Sequence, residues 1–145
     1  IQLKEMQTLA EQWETTNPAV SSSSVGWHLL HNLQVINGVV ATLAASNPAE
    51  YAPKHTFRKW YVLFTKKIPR GKARAPKGVV PDTISKEELD AALDRASLSV
   101  LNLLNQQPKQ FFPHPLFGHL NTKHAKRFLW IHTEHHLKIV RDILR

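Results

Sequence analysis

Three imidazoles stand within five residues in the run His132-Thr133-Glu134-His135-His136. At roughly 100° per residue, the rotation of a helix, Ala125, Phe128, Leu129, His132, His136, Ile139, Val140 and Ile143 share one side of the segment from Asn121 to about Leu144. Lys123, Arg127, Glu134, Lys138 and Arg141 take the other. His132 and His136 therefore lie one turn apart in the stripe that faces a core. A buried polar group left unpaired costs about 1–3 kcal/mol, so two of them need a shared explanation. A metal ion is the most economical one, because i and i+4 side chains meet on a helix and neutral imidazole is the commonest protein metal ligand.

A third member comes from the segment Val25 to Ala45. Leu29, Leu33, Ile36, Val40 and Leu43 make one apolar stripe, while Trp27, His31, Val35 and Val39, with Gly38 between, make a second. A helix apolar on most sides is a buried one, which puts His31 on an interior strip. Three neutral histidines leave a coordination position open, as in catalytic zinc sites. An open metal lowers the pKa of bound water from about 15.7 to about 7 or deprotonates a coordinating thiol, so hydrolysis and thiol transfer are both within reach. The bland alternative is that each imidazole is simply hydrogen-bonded in the core. His135 projects to the edge of the stripe, as a rim group and the nearest competitor for the place of His136. Trp27, His28 and His119 are candidate pocket or outer-shell groups, with His28 toward the polar edge marked by Asn32; His114 could line the pocket or cap a loop. Glu134 falls on the polar face, which leaves no carboxylate obviously placed for acid–base work.

Composition narrows the chemistry further. A chain of 145 residues suits one domain with a real core. Without cysteine there is no disulfide, zinc ribbon or thiol nucleophile, and His, Asp and Glu remain as metal ligands. No apolar run approaches the ~18 residues of a membrane span, and Ile1-Gln2-Leu3-Lys4-Glu5 lacks a secretory apolar region, so a cytoplasmic protein is expected. The formal charge of +8 is local: nine basic residues and no acid lie between Tyr51 and Pro81, against ten basic and eleven acidic residues elsewhere.

The elements that must position these groups read as helices. Leu3, Met6, Ala10 and Trp13 predict a first helix over residues 1–15, ended by Asn17-Pro18. The tract Ser21-Ser22-Ser23-Ser24 supplies an N-cap for the second. Phe57, Trp60, Tyr61 and Phe64, spaced i, i+3, i+4, i+7, predict a short helix with its aromatics packed on the bundle. The prolines and glycine from Lys66 to Lys77 then make a basic, irregular loop. Ser85 and Glu88 form a capping box, with Ile84 and Leu89 as a hydrophobic staple, and Leu89, Leu93, Ala96, Val100 and Leu103 supply the buried stripe of a third long helix. An aromatic loop over 111–118 caps one end of the bundle, and Asn121 starts the last helix. The result is an all-α four-helix bundle. Its brief first link sets helices one and two antiparallel, and a crossover of well over thirty residues allows two and three to run parallel, up-down-down-up. Trp130, Leu137 and Leu144 form a second apolar strip on the last helix, available for a dimer contact.

Together the phrase Val25-Gly26-Trp27-His28-Leu29-Leu30-His31-Asn32, the loop His114-Pro115-Leu116-Phe117-Gly118-His119-Leu120 and the run His132-Thr133-Glu134-His135-His136-Leu137 resemble the DinB-like superfamily, and within it a subgroup of unknown function. The order, a histidine in helix two, an HPxxG loop and HxxxH in the last helix, is specific as a set. The resemblance implies an up-down-down-up bundle, often dimeric, in which His31, His132 and His136 hold a divalent metal, commonly nickel or zinc. It also implies transfer of low-molecular-weight thiols such as bacillithiol or mycothiol, or isomerisation or hydrolysis of small molecules. The long basic connection departs from the superfamily pattern and leaves the substrate open.

Two functional classes follow. The first is a metal-dependent transferase or hydrolase for a small anionic or thiol-linked substrate, with Arg70, Lys72, Arg74 and Lys77 as anion-binding groups. The second is a non-enzymatic bundle that binds nucleic acid or a protein through residues 54–77. Nucleic acid is the weaker expectation, since there is no helix-turn-helix signature and the aromatic spacing suits burial.

Overall fold

Ser24, Ser85 and Asn121 each cap a helix with the side chain. In the computed structural model, which describes residues 2–70, 81 and 84–145, Ser24 Oγ accepts from the Trp27 N–H at 3.2 Å, Ser85 Oγ from Glu88 at 3.1 Å and Asn121 Oδ1 from His124 at 3.0 Å. Each such cap stabilises its helix by about 1 kcal/mol. The described residues form α1 (Leu3–Leu9, continued by a 3-10 turn, Ala10–Gln12), α2 (Val25–Ala45), α3 (Phe57–Thr65), α4 (Lys86–Leu104), the strands β1 (Phe111–His114) and β2 (Gly118–Asn121), and α5 (Thr122–Ile143).

The long helices α2, α4 and α5 bury the stripes their sequences predict. Leu29, Leu33, Ile36 and Leu43 of α2 meet Leu89, Ala92 and Ala96 of α4 and Ala125, Leu129 and Val140 of α5 in one core cluster. Met6 and Ala10 close it from the N-terminal side. Among the described residues, no helix is long and apolar enough to cross a membrane.

Four expectations are corrected. The first helix does not reach residue 15: it ends at Leu9, and after the 3-10 turn the carbonyls of Trp13 and Thr15 accept from the N–H groups of Gly26 (2.7 Å) and Val25 (2.9 Å). Those are N–H groups that the start of α2 cannot bond internally, and satisfying them draws the chain back early. The aromatic loop is a β-hairpin, with Phe111 opposite Asn121 and His114 opposite Gly118, so the protein is mostly helical rather than all-α. The hairpin turn closes on Gly118 at φ +68°, where a Cβ would stand 2.8 Å from Lys54 Cβ.

Third, α3 turns its aromatics outward. Phe57 is 82% exposed and Phe64 85%, with Trp60 and Tyr61 also exposed, while Lys59, Val62 and Leu63 form the buried face. Two backbone-to-side-chain bonds hold this orientation: Arg127 Nε donates to the Leu63 carbonyl at 2.8 Å, and Lys59 Nζ to the Lys54 carbonyl at 3.1 Å. Fourth, the second apolar strip of the last helix is only partly exposed: Leu137 is fully buried, while Trp130 is 40% exposed. Exposed leucines lie instead along α4, at Leu98, Leu101 and Leu104.

The two glycines of α2 separate packing from propensity. A Cβ at Gly26 would meet the Trp13 carbonyl oxygen at 2.9 Å and Ile84 Cγ2 at 3.0 Å, whereas nothing lies within 4 Å of one at Gly38. Gly26→Ala is therefore expected to cost about 1–3 kcal/mol through overpacking. Gly38→Ala should gain roughly 0.5–1 kcal/mol by removing a mid-helix glycine. Urea unfolding of both variants checks the opposite signs.

Candidate metal centre

Helices α2 and α5 bring His31, His132 and His136 together. Ring centroids lie 5.3 Å apart for His31 and His132, 4.8 Å for His31 and His136, and 4.6 Å for His132 and His136. One nitrogen from each lies within 4.8 Å of the others, close enough to hold a metal ion. His31 and His136 are buried and His132 is partly exposed.

The surroundings set the protonation of these rings. Asn32 Oδ1 can only accept, so its 3.0 Å contact with His132 Nδ1 is an N–H donation from the imidazole. The His132 lone pair is thereby placed on Nε2. Asn32 is itself oriented, with Nδ2 donating to Met6 Sδ at 3.5 Å and Oδ1 accepting from Thr133 Oγ1 at 3.5 Å. This is the outer partner that a ligating imidazole ordinarily has. On the other side, Nδ1 of His136 lies 3.1 Å from Nδ1 of His28, and His28 Nε2 lies 2.9 Å from Ser21 Oγ. Only one of the facing Nδ1 atoms can carry hydrogen. When His136 donates to His28, and His28 donates to Ser21, Nε2 of His136 is left with its lone pair and can ligate. Trp27 stacks on His31, with centroids 5.2 Å apart and planes 15° apart.

Electrostatics keep the cluster neutral. Burial first, then nearby His31, His135 and His114, hold His132 well below the usual imidazole range. Burial, then His132 and His31, do the same to His136. Burial, then His31, His135 and Arg70, lower His28 to about 4; burial, then Arg70, His31 and Lys138, lower His135 to about 4. Neutral imidazoles are the metal-binding form.

The remaining candidates divide. His135 stands at the rim, edge-on to His136 at 5.1 Å. His28 is not at a polar edge but buried, in contact with His136. His119 is not brought to the cluster: it stacks on Phe111 at 4.1 Å and accepts from the Ala52 N–H at 3.1 Å, which makes it part of the hairpin's packing. His114 comes nearer, with its ring at 4.8 Å from Phe128, whose own ring is 5.5 Å from His132. Burial lowers His114 to about 4. Glu134 is engaged by Gln2 Nε2 and Arg141 Nη1, each at 3.0 Å, which removes it as a general base. Arg70 lines a cleft beside His135 and donates to Asp142 at 2.7 Å. Lys72, Arg74 and Lys77 lie outside the described residues.

Sequence reasoning passed over Asn32 and Ser21. Asn32 carried a signal: a polar residue four after His28 and one after His31, inside a helix apolar on most sides.

A family match spans residues 2–143, nearly the whole chain and all the elements above. The chain belongs to DUF1569, described as a protein of unknown function. No curated protein and no solved structure matches it. In this DUF1569 chain the three-histidine group has Asn32 and His28 behind it.

Proposed function

We propose that this DUF1569 chain is a divalent-metal-dependent enzyme of DinB-like type, a thiol transferase or hydrolase for a small substrate, with His31, His132 and His136 as ligands and zinc or nickel as the metal. One observation carries the reading: three imidazoles from two helices far apart in sequence converge within 4.8 Å beside the apolar core. A divalent ion in such an open site supplies Lewis acidity toward water or a thiol. Around it, Asn32 holds the tautomer of His132, His28 and Ser21 hold that of His136, the Trp27 ring stacks on His31 and the Phe128 ring lies 5.5 Å from His132. An up-down-down-up arrangement, a cytoplasmic location and a homodimer belong to the same reading, the exposed Leu98, Leu101 and Leu104 supporting the last.

Metal analysis of the full chain, purified without an affinity tag and then supplemented with zinc or nickel, tests it. About one tightly held ion per chain is expected; a chain that retains none after supplementation overturns it. The outer partner gives a finer check. Asn32→Leu leaves His132 Nδ1 without its acceptor and should weaken metal binding about 10–100-fold, read by competition with a chelating dye.

A second reading has its own support. The exposure of Phe57, Trp60, Tyr61 and Phe64 in a segment with no acid supports a binding protein that engages nucleic acid or a protein partner through residues 54–77. Stacking aromatics beside basic groups suit a single strand. Salt-sensitive binding of oligonucleotides that is lost in Trp60→Ala with Arg70→Ala would favour it; no binding at low salt removes the nucleic-acid form.

A further inference from the structure

Next to the histidine cluster, but outside it, the chain builds a cleft of about 180 Å³ between the end of α3 and the middle of α5. At the C-terminus of α3, Lys66 takes the left-handed conformation, φ +56°, the one non-glycine residue to do so among those described. Its N–H donates to the Val62 carbonyl, and its Nζ lies over the Trp130 ring at 5.5 Å. The chain then turns back along α5, where Arg70 is tied down by Asp142. Lys66, Lys67 and Arg70 thus face Glu134, His135 and Lys138 across the cleft.

The charge there is unbalanced. Four cations and one carboxylate line it; Arg70 is paired with Asp142 from outside the lining, and the Glu134 carboxylate already accepts from Gln2 and Arg141, with Lys138 Nζ at 4.0 Å. Lys66 and Lys67 have no carboxylate partner among the described residues. The wall between the cleft and the histidine cluster is one ring thick, since His135 lines the cleft and also packs edge-on against His136. At roughly 30 Å³ per molecule of liquid water, the cleft's volume of about 180 Å³ matches a single acid group with a few further atoms.

We propose that this cleft is the subsite for the acid end, a carboxylate or phosphate, of a small substrate whose reacting end reaches the three histidines. The assignment of the other end rests on the metal-site reading; the anion site itself stands on Lys66, Lys67, Arg70 and Lys138. Arg70 and the lysines give orientation as well as attraction, because charged N–H donors to an oxyanion are the strong hydrogen bonds.

The test titrates the full chain with inorganic phosphate and, separately, succinate, at ionic strength held constant with chloride, following backbone amide shifts by NMR. Saturable shifts at Lys66, Lys67 and His135 are expected, with whichever probe saturates at lower concentration naming the acid class. Lys67→Ala with Lys138→Ala, two exposed positions, should weaken the binding at least about tenfold, as expected for lost charge-assisted bonds, and leave metal content unchanged. Shifts that stay linear, or an affinity unmoved in the double variant, overturn the proposal. Tight binding of a long oligonucleotide at the same residues would also overturn it. The two readings fail separately: in His31→Gln, metal should be lost while the phosphate or succinate shifts persist, and a wild-type chain that holds metal but neither probe removes the subsite alone.

Discussion

His132→Gln is expected to take the protein from about one bound divalent ion per chain to none. With one of three imidazoles gone, the loss should exceed the roughly 10–100-fold that outer-shell changes cost. Glutamine is preferred to alanine because alanine would leave Asn32 Oδ1 with only Thr133 Oγ1, at 3.5 Å, at a cost of about 1–3 kcal/mol for an under-satisfied buried acceptor. His31→Gln should behave alike. His119→Ala supplies the contrast: its ring is committed to Phe111 and Ala52, so metal content should not change. Elemental analysis with calorimetric titration, and circular dichroism to confirm folding, reads all three. Equal metal content in His132→Gln and His119→Ala would contradict the proposed ligand set.

Acid should unfold the metal-free protein well before its carboxylates are all protonated. His28, His114 and His135 titrate near 4 in the folded chain, against the model-peptide value of 6.5. His132 and His136 are also lowered. Between pH 6.5 and about 4 the unfolded chain therefore binds more protons than the folded one, and stability falls as pH falls. These histidines contribute fully above pH 6.5. The loss from the first three is complete near pH 4, and that from His132 and His136 continues below it. For His28, buried at 5% exposure, the change is at most on the order of 3 kcal/mol; the partly exposed His114 and His135 add less. Set against a total stability of about 5–15 kcal/mol, a steep fall in the urea midpoint between pH 7 and pH 4.5 is expected, steeper when zinc is present because protons compete with the metal. A midpoint that stays flat over that range would mean the cluster is solvated.

The aromatic helix shows where periodicity stops being informative. Phe57, Trp60, Tyr61 and Phe64 do share one face of α3, as their spacing requires. Spacing states which residues lie together, however, and not which face a neighbour covers. Here the Arg127 bond to the Leu63 carbonyl and the burial of Val62 and Leu63 decide it the other way. The exposed aromatics then remove one objection to a nucleic-acid partner.

By itself the sequence determined what depends on neighbours along the chain. The caps at Ser24, Ser85 and Asn121 bond N–H groups three residues on, and the buried stripes of α2, α4 and α5 follow from one helical period. The three-histidine group was legible for the same reason: His132 and His136 are one turn apart, and His31 lies on a largely apolar strip of its helix. Tertiary structure alone decided what depends on residues distant in the chain. The 3.0 Å bond from His132 to Asn32 and the 3.1 Å contact of His136 with His28 join positions about a hundred residues apart. The pairing of Phe111 with Asn121 and the outward turn of α3 likewise depend on which surfaces the core left free. A buried polar atom takes whatever partner packing brings within about 3 Å, and that partner can be named only once the helices are in place.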